Sequence, residues 1–278
     1  MNDRVLVLGA TGQVGSAIVA ALDHSAVGWS SRDLDLANAS MIRSHIEAAQ
    51  PTVVINCAAY NLVDQAETEP DVAFAVNATG VGELATATAA VGARFVTYST
   101  DYVFDGEQAE PYLERDLPNP MSVYGSSKLE GERLAADANP GSLIIRTSWV
   151  MSPAPRGFAA TVLRLAQEGG GRVVADQVGT PTMAIDLAAA TLSAMRDGVS
   201  GLLHCANGPE ISRFGLARQI VDIAGLDPEL IQPCSTEEFG AAARRPRYSA
   251  LGSERERGPL GDYRPGLEEA VAELMTAS

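Results

Sequence analysis

The sequence predicts an α/β fold, a doubly wound parallel sheet with a smaller C-terminal domain. Three observations predict it. Short apolar runs alternate with helical patterns through the first half, the pattern of a parallel sheet covered on both faces. The first run leads directly into glycines spaced for a tight turn at a helix start. The second half is less regular, with Pro153, Pro155 and the breaker Gly169-Gly170-Gly171. The expected boundaries are 1–148 for the sheet domain and 149–278 mainly for the second, with segments returning to the sheet. A chain of 278 residues can bury a full core in that arrangement.

Arg4-Val5-Leu6-Val7-Leu8 reads as a buried strand. Gly9-Ala10-Thr11-Gly12-Gln13-Val14-Gly15 follows, then an apolar-periodic helix through Leu22. Glycines at 9, 12 and 15 permit a tight turn, close backbone approach to a pyrophosphate and close helix–strand packing. The helix N-terminus adds unpaired N–H groups for phosphates. The spacing is Gly-x-x-Gly-x-x-Gly rather than Gly-x-Gly-x-x-Gly, but strand, glycines and helix occur in the order a Rossmann-type cofactor site requires. A structural glycine turn is the alternative.

The second strand, about Ala26 to Ser30, ends in Ser30-Ser31-Arg32. An acid at this place would bind a ribose 2′-hydroxyl, whereas hydroxyls and a guanidinium would bind a 2′-phosphate. NADPH is therefore favoured, with NADH as the alternative cofactor. Arg32 reads equally as a solvated loop charge, and Asp33 and Asp35 leave the local field mixed. A helix near Ser40–Ala49, a strand at Thr52–Asn56, one long helix from about Asp71 to Val91 and a strand at Arg94–Ser99 follow. A helix over about Ser122–Asp137 and a strand at Leu143–Thr147 complete the alternation. Cys57-Ala58-Ala59-Tyr60 and Ser99-Thr100-Asp101 fall at strand carboxyl ends, where ligands of such sheets collect.

A net charge of −15 argues against nucleic acid or an anionic membrane as partner. No stretch is long and apolar enough to span a bilayer. Met1-Asn2-Asp3-Arg4 runs straight into the first strand, which leaves no room for a signal peptide. Cys57, Cys205 and Cys234 are too scattered for a disulfide framework or zinc site, and His24, His45 and His204 do not cluster. A cytoplasmic protein without metal is expected.

The most telling residue is the only lysine, Lys128, four positions after Tyr124. Residues four apart share a helix face, so the phenol and the ammonium can serve one site, the Tyr-x-x-x-Lys arrangement of a carbonyl reductase. Reducing a ketone takes a hydride on carbon and a proton on oxygen. Tyr124 is the expected general acid. Its pKa of about 10 is too high for ready exchange near neutrality, and Lys128 is expected to lower it. Thr100, at a strand end, is expected to donate its hydroxyl to the substrate oxygen or to Tyr124. A salt bridge from Lys128 to Glu132 and a simple turn hydroxyl at Thr100 are the plainer alternatives.

An ordered set of motifs accompanies this pair. It runs through Gly9–Gly15, Asn56-Cys57-Ala58-Ala59-Tyr60, Val76-Asn77-Ala78-Thr79-Gly80 and Ser99-Thr100-Asp101-Tyr102-Val103-Phe104-Asp105-Gly106. Tyr124–Lys128, Arg146-Thr147-Ser148-Trp149-Val150, Asp176-Gln177-Val178-Gly179-Thr180-Pro181-Thr182 and Arg244-Arg245-Pro246 follow. Together they resemble the dTDP-4-dehydrorhamnose reductase family of extended short-chain dehydrogenases/reductases, from Val5 to about Leu274. The resemblance implies NAD(P)H-dependent reduction of dTDP-4-dehydro-L-rhamnose to dTDP-L-rhamnose, and a C-terminal domain that binds the sugar nucleotide.

By the same resemblance Lys128 hydrogen-bonds the nicotinamide ribose and Gly12, Gln13 and Val14 form the phosphate turn. Asp35 and Leu36 lie beside the adenine, and Ala59, Tyr60 and Asn61 near the nicotinamide. Asp101 and Trp149 are expected to contact substrate, with a core tryptophan as the alternative for Trp149. Arg244, Arg245 and Arg247 suit a diphosphate, or form a solvated charged loop. Asn77 is expected to order the helix beside the site. Met151 replaces a tyrosine common in the family and Asn61-Leu62 a smaller Thr-Ala pair, both near the expected sugar pocket. Ala17 and Ile185 stand where some relatives carry glutamates for a Mg²⁺-bridged dimer, so a monomer or metal-free homodimer is expected, although Asp186 and Glu273 lie near. Two other functions fit the motifs: reduction of another dTDP-4-keto-6-deoxysugar, and a non-catalytic NADP-binding regulatory subunit. An epimerase using the same tyrosine would consume no NADPH.

Overall fold

The computed structural model describes residues 4–23, 25–255 and 258–277; His24 and the Met1–Asp3 start lie outside them. The first half alternates as β1 (Val5–Leu8), α1 (Gln13–Ala21), β2 (Ala26–Trp29), α2 (Ala39–Ala49) and β3 (Val53–Asn56). Then come α3 (Val63–Ala66), α4 (Pro70–Phe74), a π-helical turn at Ala75–Thr79, α5 (Gly80–Ala90) and β4 (Arg94–Thr100). The helix α6 (Val123–Ala138) leads to β5 (Leu143–Thr147). β1, β3 and β5 are buried along their whole length because helices cover both faces of the sheet.

The second half carries β6 (Val150–Met151), α7 (Phe158–Gln167), β7 (Gly171–Val174), β8 (Val178–Gly179), β9 (Thr182–Met183) and α8 (Ala184–Arg196). After β10 (Gly201–His204), β11 (Ala206–Gly208) and β12 (Ile211–Ser212) come α9 (Arg213–Ile223), β13 (Ile231–Cys234), α10 (Thr236–Phe239), β14 (Pro259–Asp262) and α11 (Arg264–Ala277). The main sheet runs β2-β1-β3-β4-β5-β10, all parallel. The chain thus returns from the irregular half to add β10 at the sheet edge, with α8 packed on α1. A separate apolar cluster joins α7, α9 and α11 to β7 and β13, through Leu163, Leu216, Ile220, Ile231 and Leu267 among others. Full burial of each such side chain stabilises the fold by about 1.5–3 kcal/mol.

The order in which strands are added reverses between β1 and β3, whose last residues, Leu8 and Asn56, lie in register. A crevice opens beyond such a reversal. One expectation fails here. The single helix expected from Asp71 to Val91 is interrupted by the π turn, which turns Asn77 into the interior at 1% exposure. The cause is polar: the Asn77 amide accepts from the Tyr60 N–H at 2.9 Å and donates to the Tyr60 carbonyl at 2.9 Å and to Ser127 Oγ at 3.0 Å. A π turn of this kind often marks a functional place.

Candidate active site

Gly9 leaves β1 at φ +68°. A Cβ on it would stand 2.7 Å from the Ala58 nitrogen, and one on Gly15 would stand 2.2 Å from the Gly9 carbonyl oxygen. Only glycine fits both places. Gly12 starts α1 without a side-chain cap, so the helix N-terminus offers its first N–H groups to an anion. A crevice of about 180 Å³ beside this turn is lined by Gly9, Ser30, Ser31, Asp35, Leu36, Ala58, Ala59 and Tyr60. Half of the residues expected at a cofactor therefore meet there. Thr11 and Gly12 are exposed on the turn. Val14 packs its side chain into the sheet cluster, which leaves only its backbone for the cofactor.

The adenosine end differs from expectation. The Ser30 N–H and hydroxyl both donate to Asp33 Oδ2 at 2.8 Å, which holds the Asp33 carboxyl below its usual range. The Ser30 hydroxyl is thus turned toward a carboxylate three residues on. Arg32 is exposed and is the cation of this loop.

A second cavity, about 300 Å³, opens at the ends of β4 and β5. Gln13, Asn61, Ser99, Thr100, Asp101, Tyr124, Thr147, Trp149 and Arg213 line it, with Tyr102, Val63, Ser148 and Val150. Tyr124 sits in the first turn of α6, begun by the Ser122 hydroxyl accepting from the Gly125 N–H at 3.1 Å. Its ring meets Tyr102 edge-on at 5.8 Å. Burial pushes the phenol above its ordinary pKa, the Thr100 hydroxyl pulls against that, and Asp101 adds to it. Lys128 lies one turn further along α6. It is 5% exposed and does not line the cavity; its Nζ is turned to the Tyr98 carbonyl on β4, at 2.7 Å. Burial brings the ammonium down to about 8, against the pull of Glu132.

Thr100 is not a free hydroxyl either. It donates to Asp101 Oδ1 at 3.0 Å and accepts from the Tyr102 N–H at 3.1 Å. Asp101 takes the Ser249 hydroxyl on its other oxygen, at 2.6 Å, and burial raises it to about 6. Both carboxylate oxygens are thus engaged by protein, so Asp101 orients Thr100 from below. By contrast, the buried hydroxyls of Ser99 and Thr147 have no hydrogen-bond partner although both line the cavity. Such orphaned groups suit a polar ligand.

A third cavity, about 360 Å³, is lined by Tyr102, Phe158, Arg172, Gln177, Arg213 and Arg245, among others. Tyr102 and Arg213 also line the second, so the two form one path with cations between. Arg245 forks onto Asp64 at 3.0 and 2.7 Å; Arg244 and Arg247 are exposed outside this path. Trp149, at φ +43°, holds its indole against Gly179, with the Arg213 guanidinium 3.7 Å above the ring. A bulky residue in that region is strained, and such strain is tolerated at ligand sites. Trp149 is 9% exposed, packed like a core residue yet lining the cavity.

Residues 3–278 match the family model described as the RmlD substrate binding domain. A dTDP-4-dehydrorhamnose reductase of Mycolicibacterium smegmatis is 41% identical over 289 residues, covering 100% of this chain and 88% of that one. The chain belongs to the dTDP-4-dehydrorhamnose reductase family. The crystal structure of a family member from Clostridium acetobutylicum superposes with a TM-score of 0.94 at 38% identity, over 98% of this chain and 99% of the other. One from Bacillus anthracis, in complex with NADP, gives 0.89 at 34% identity, over 100% of both chains.

Within the family frame, the two departures separate. Asn61 lines the second cavity, with Leu62 half exposed beside it. Met151 does not: it is buried in the α7–α9–α11 cluster, which also holds Trp149, and borders a groove between α1 and α11. Ala17, Ile185 and Glu273 line that same groove, and no group of three or more His, Cys, Asp or Glu among the described residues could hold a metal ion. No helix among the described residues is long and apolar enough to cross a membrane. Sequence reasoning missed Arg213, Tyr102 and Ser249. Arg213 had one local signal, the Ser212 N-cap that starts α9, but nothing in its spacing aims it at Trp149.

Proposed function

We propose that this chain reduces dTDP-4-dehydro-L-rhamnose to dTDP-L-rhamnose with NADPH. The observation that carries the proposal is Tyr124 at a cavity of ketosugar size, beside the glycine cradle of β1–α1 and backed by the chain's only lysine. The cradle, the crevice lined by Ser30 to Tyr60 and the orphaned hydroxyls of Ser99 and Thr147 fit a dinucleotide. NADPH, the cofactor type seen in the Bacillus anthracis relative, supplies hydride to the carbonyl carbon when bound. NADH is the weaker alternative, with Arg32 favouring the 2′-phosphate.

The buried phenol of Tyr124 is held protonated, as an acid must be, and gives its proton to the ketone oxygen. Lys128, one turn on, stabilises the phenolate left behind. Asp101 holds Thr100, whose hydroxyl lies beside both phenol and substrate oxygen. Arg213 and Arg245 face the diphosphate, and Trp149 flanks the sugar. Residues 149–278 thus supply most of the sugar-nucleotide contacts, while residues 1–148 hold the cofactor. Ala17 and Ile185 offer no metal-binding atoms, in keeping with a monomer or metal-free homodimer. The free cysteines suit a reducing cytoplasm.

The test is NADPH consumption with dTDP-4-dehydro-L-rhamnose and identification of the product. Turnover to dTDP-L-rhamnose should fall about 10²–10⁴-fold in Tyr124→Phe. Bound NADPH without turnover would sink the assignment and point to another ketosugar or to a regulatory subunit.

A further inference from the structure

Lys128 and Glu132 are one turn apart on α6 and, among the described residues, border the same interior gap, which also touches Asn77, Thr97 and Tyr98 and has no room for a water molecule. Spacing alone would pair them. They do not pair. Arg146, opposite Ser99 of β4 and His204 of β10, takes Glu132 with both arms: Nε on Oε1 at 2.8 Å and Nη2 on Oε2 at 2.7 Å. Both partners are nearly sealed from solvent. The rear of the guanidinium is filled by the Phe104 ring, 5.1 Å from its centroid, and by His204 Nε2 at 3.4 Å. Arg146 therefore has one place to go, and the carboxylate is saturated by a fork that a lysine cannot match.

We propose that Arg146 is a positioning residue for Lys128: it withholds Glu132 from the ammonium, so that Lys128 keeps its hydrogen bond to the Tyr98 carbonyl and stays available to the site. The inference rests on the catalytic reading of Lys128 given above. Without Arg146, the nearest anion to Lys128 would be a buried carboxylate with no partner and no water, and the ammonium would swing onto it. The groups around Lys128 are Tyr124 and Glu132, one turn either side of it on α6, and Tyr98 on β4, with Arg146 on β5 beyond Glu132. His204 on β10 and Cys57 after β3 stand behind them. Tyr98 turns its hydroxyl away to Thr191, at 2.8 Å. His204 is kept neutral by burial and by Arg146 itself, and burial keeps Cys57 a thiol. Glu132 is thus the charge that acts on the buried Lys128, and Arg146 is the group that holds it.

The signs can be tested without substrate, because one lysine in the chain gives one signal from protein labelled with ¹³Cε-lysine. The wild-type midpoint is expected near 8. Glu132→Gln keeps the shape of the pair but leaves Arg146 uncompensated, so the midpoint should fall by on the order of one unit. Arg146→Met frees Glu132, so the midpoint should rise by on the order of one to two units. The double variant should return toward wild type and refold where Arg146→Met alone does not. Catalysis should track these shifts, the alkaline limb of kcat/KM moving down in Glu132→Gln and up in Arg146→Met. A purely structural pair would lower the folded fraction without moving the midpoint. Unmoved midpoints, or shifts of the same sign in Glu132→Gln and Arg146→Met, overturn the inference. Failure of wild type to reduce the ketosugar would strike the catalytic reading instead, and the lysine titration would still report.

Discussion

Replacing Asn77 with alanine removes a side chain that ties the π turn to the segment after β3. Three hydrogen bonds go, two to the Tyr60 backbone and one to Ser127. Ser127 keeps its bond to the Tyr124 carbonyl at 2.8 Å, so its loss is small. The Tyr60 N–H and carbonyl are part-buried, and leaving each unpaired costs about 1 kcal/mol, the low end for buried groups. The vacated space adds about 1 kcal/mol more. The sum is on the order of 3 kcal/mol, or roughly 6 °C in Tm at about 2 °C per kcal/mol for a chain of this size. Because Tyr60 lines the cofactor crevice, NADPH affinity should weaken about tenfold in the same variant. Thermal unfolding monitored by circular dichroism and NADPH titration by fluorescence read the two effects. A Tm within about 2 °C of wild type with unchanged affinity would refute the claim that the π turn exists to hold Tyr60.

Two further outcomes follow from the cavity walls. A Cβ at Gly179 would stand 2.6 Å from Trp149 Cε2, and the ring already carries the Arg213 guanidinium stacked at 3.7 Å. Gly179→Ala should therefore cost about 1–2 kcal/mol of sugar-nucleotide binding, seen as a roughly tenfold higher KM with NADPH affinity unchanged; equal KM values would show that the indole is not a wall of the site. Asp101 is raised to about 6 in the fold, against about 3.9 unfolded. Its contribution to stability is then fully present below about pH 4 and is lost as pH rises through 6, by on the order of 3 kcal/mol. Urea unfolding should show Asp101→Asn gaining on wild type by about that amount between pH 4 and 7, whereas parallel curves would mean that the carboxyl is not buried as described.

Short-range physics alone makes part of this molecule legible from its residues. Apolar runs one strand long, glycines at 9, 12 and 15 and the four-residue step from Tyr124 to Lys128 each constrain a few adjacent bonds. Each therefore announces strand, phosphate turn or shared helix face without help from the rest of the chain. The ordered motifs then sufficed to name the family. What only the tertiary structure decided is which partner each polar group takes. Nothing local told that Glu132 would go to Arg146 rather than Lys128, that Ser30 would turn to Asp33, or that Asn77 would break a regular helical pattern to reach Tyr60. Arg213 reaches Trp149 across more than sixty residues of chain. The reason is energetic. A buried donor, acceptor or charge must be satisfied by whatever the fold brings within reach, and that choice is made only when distant elements have packed.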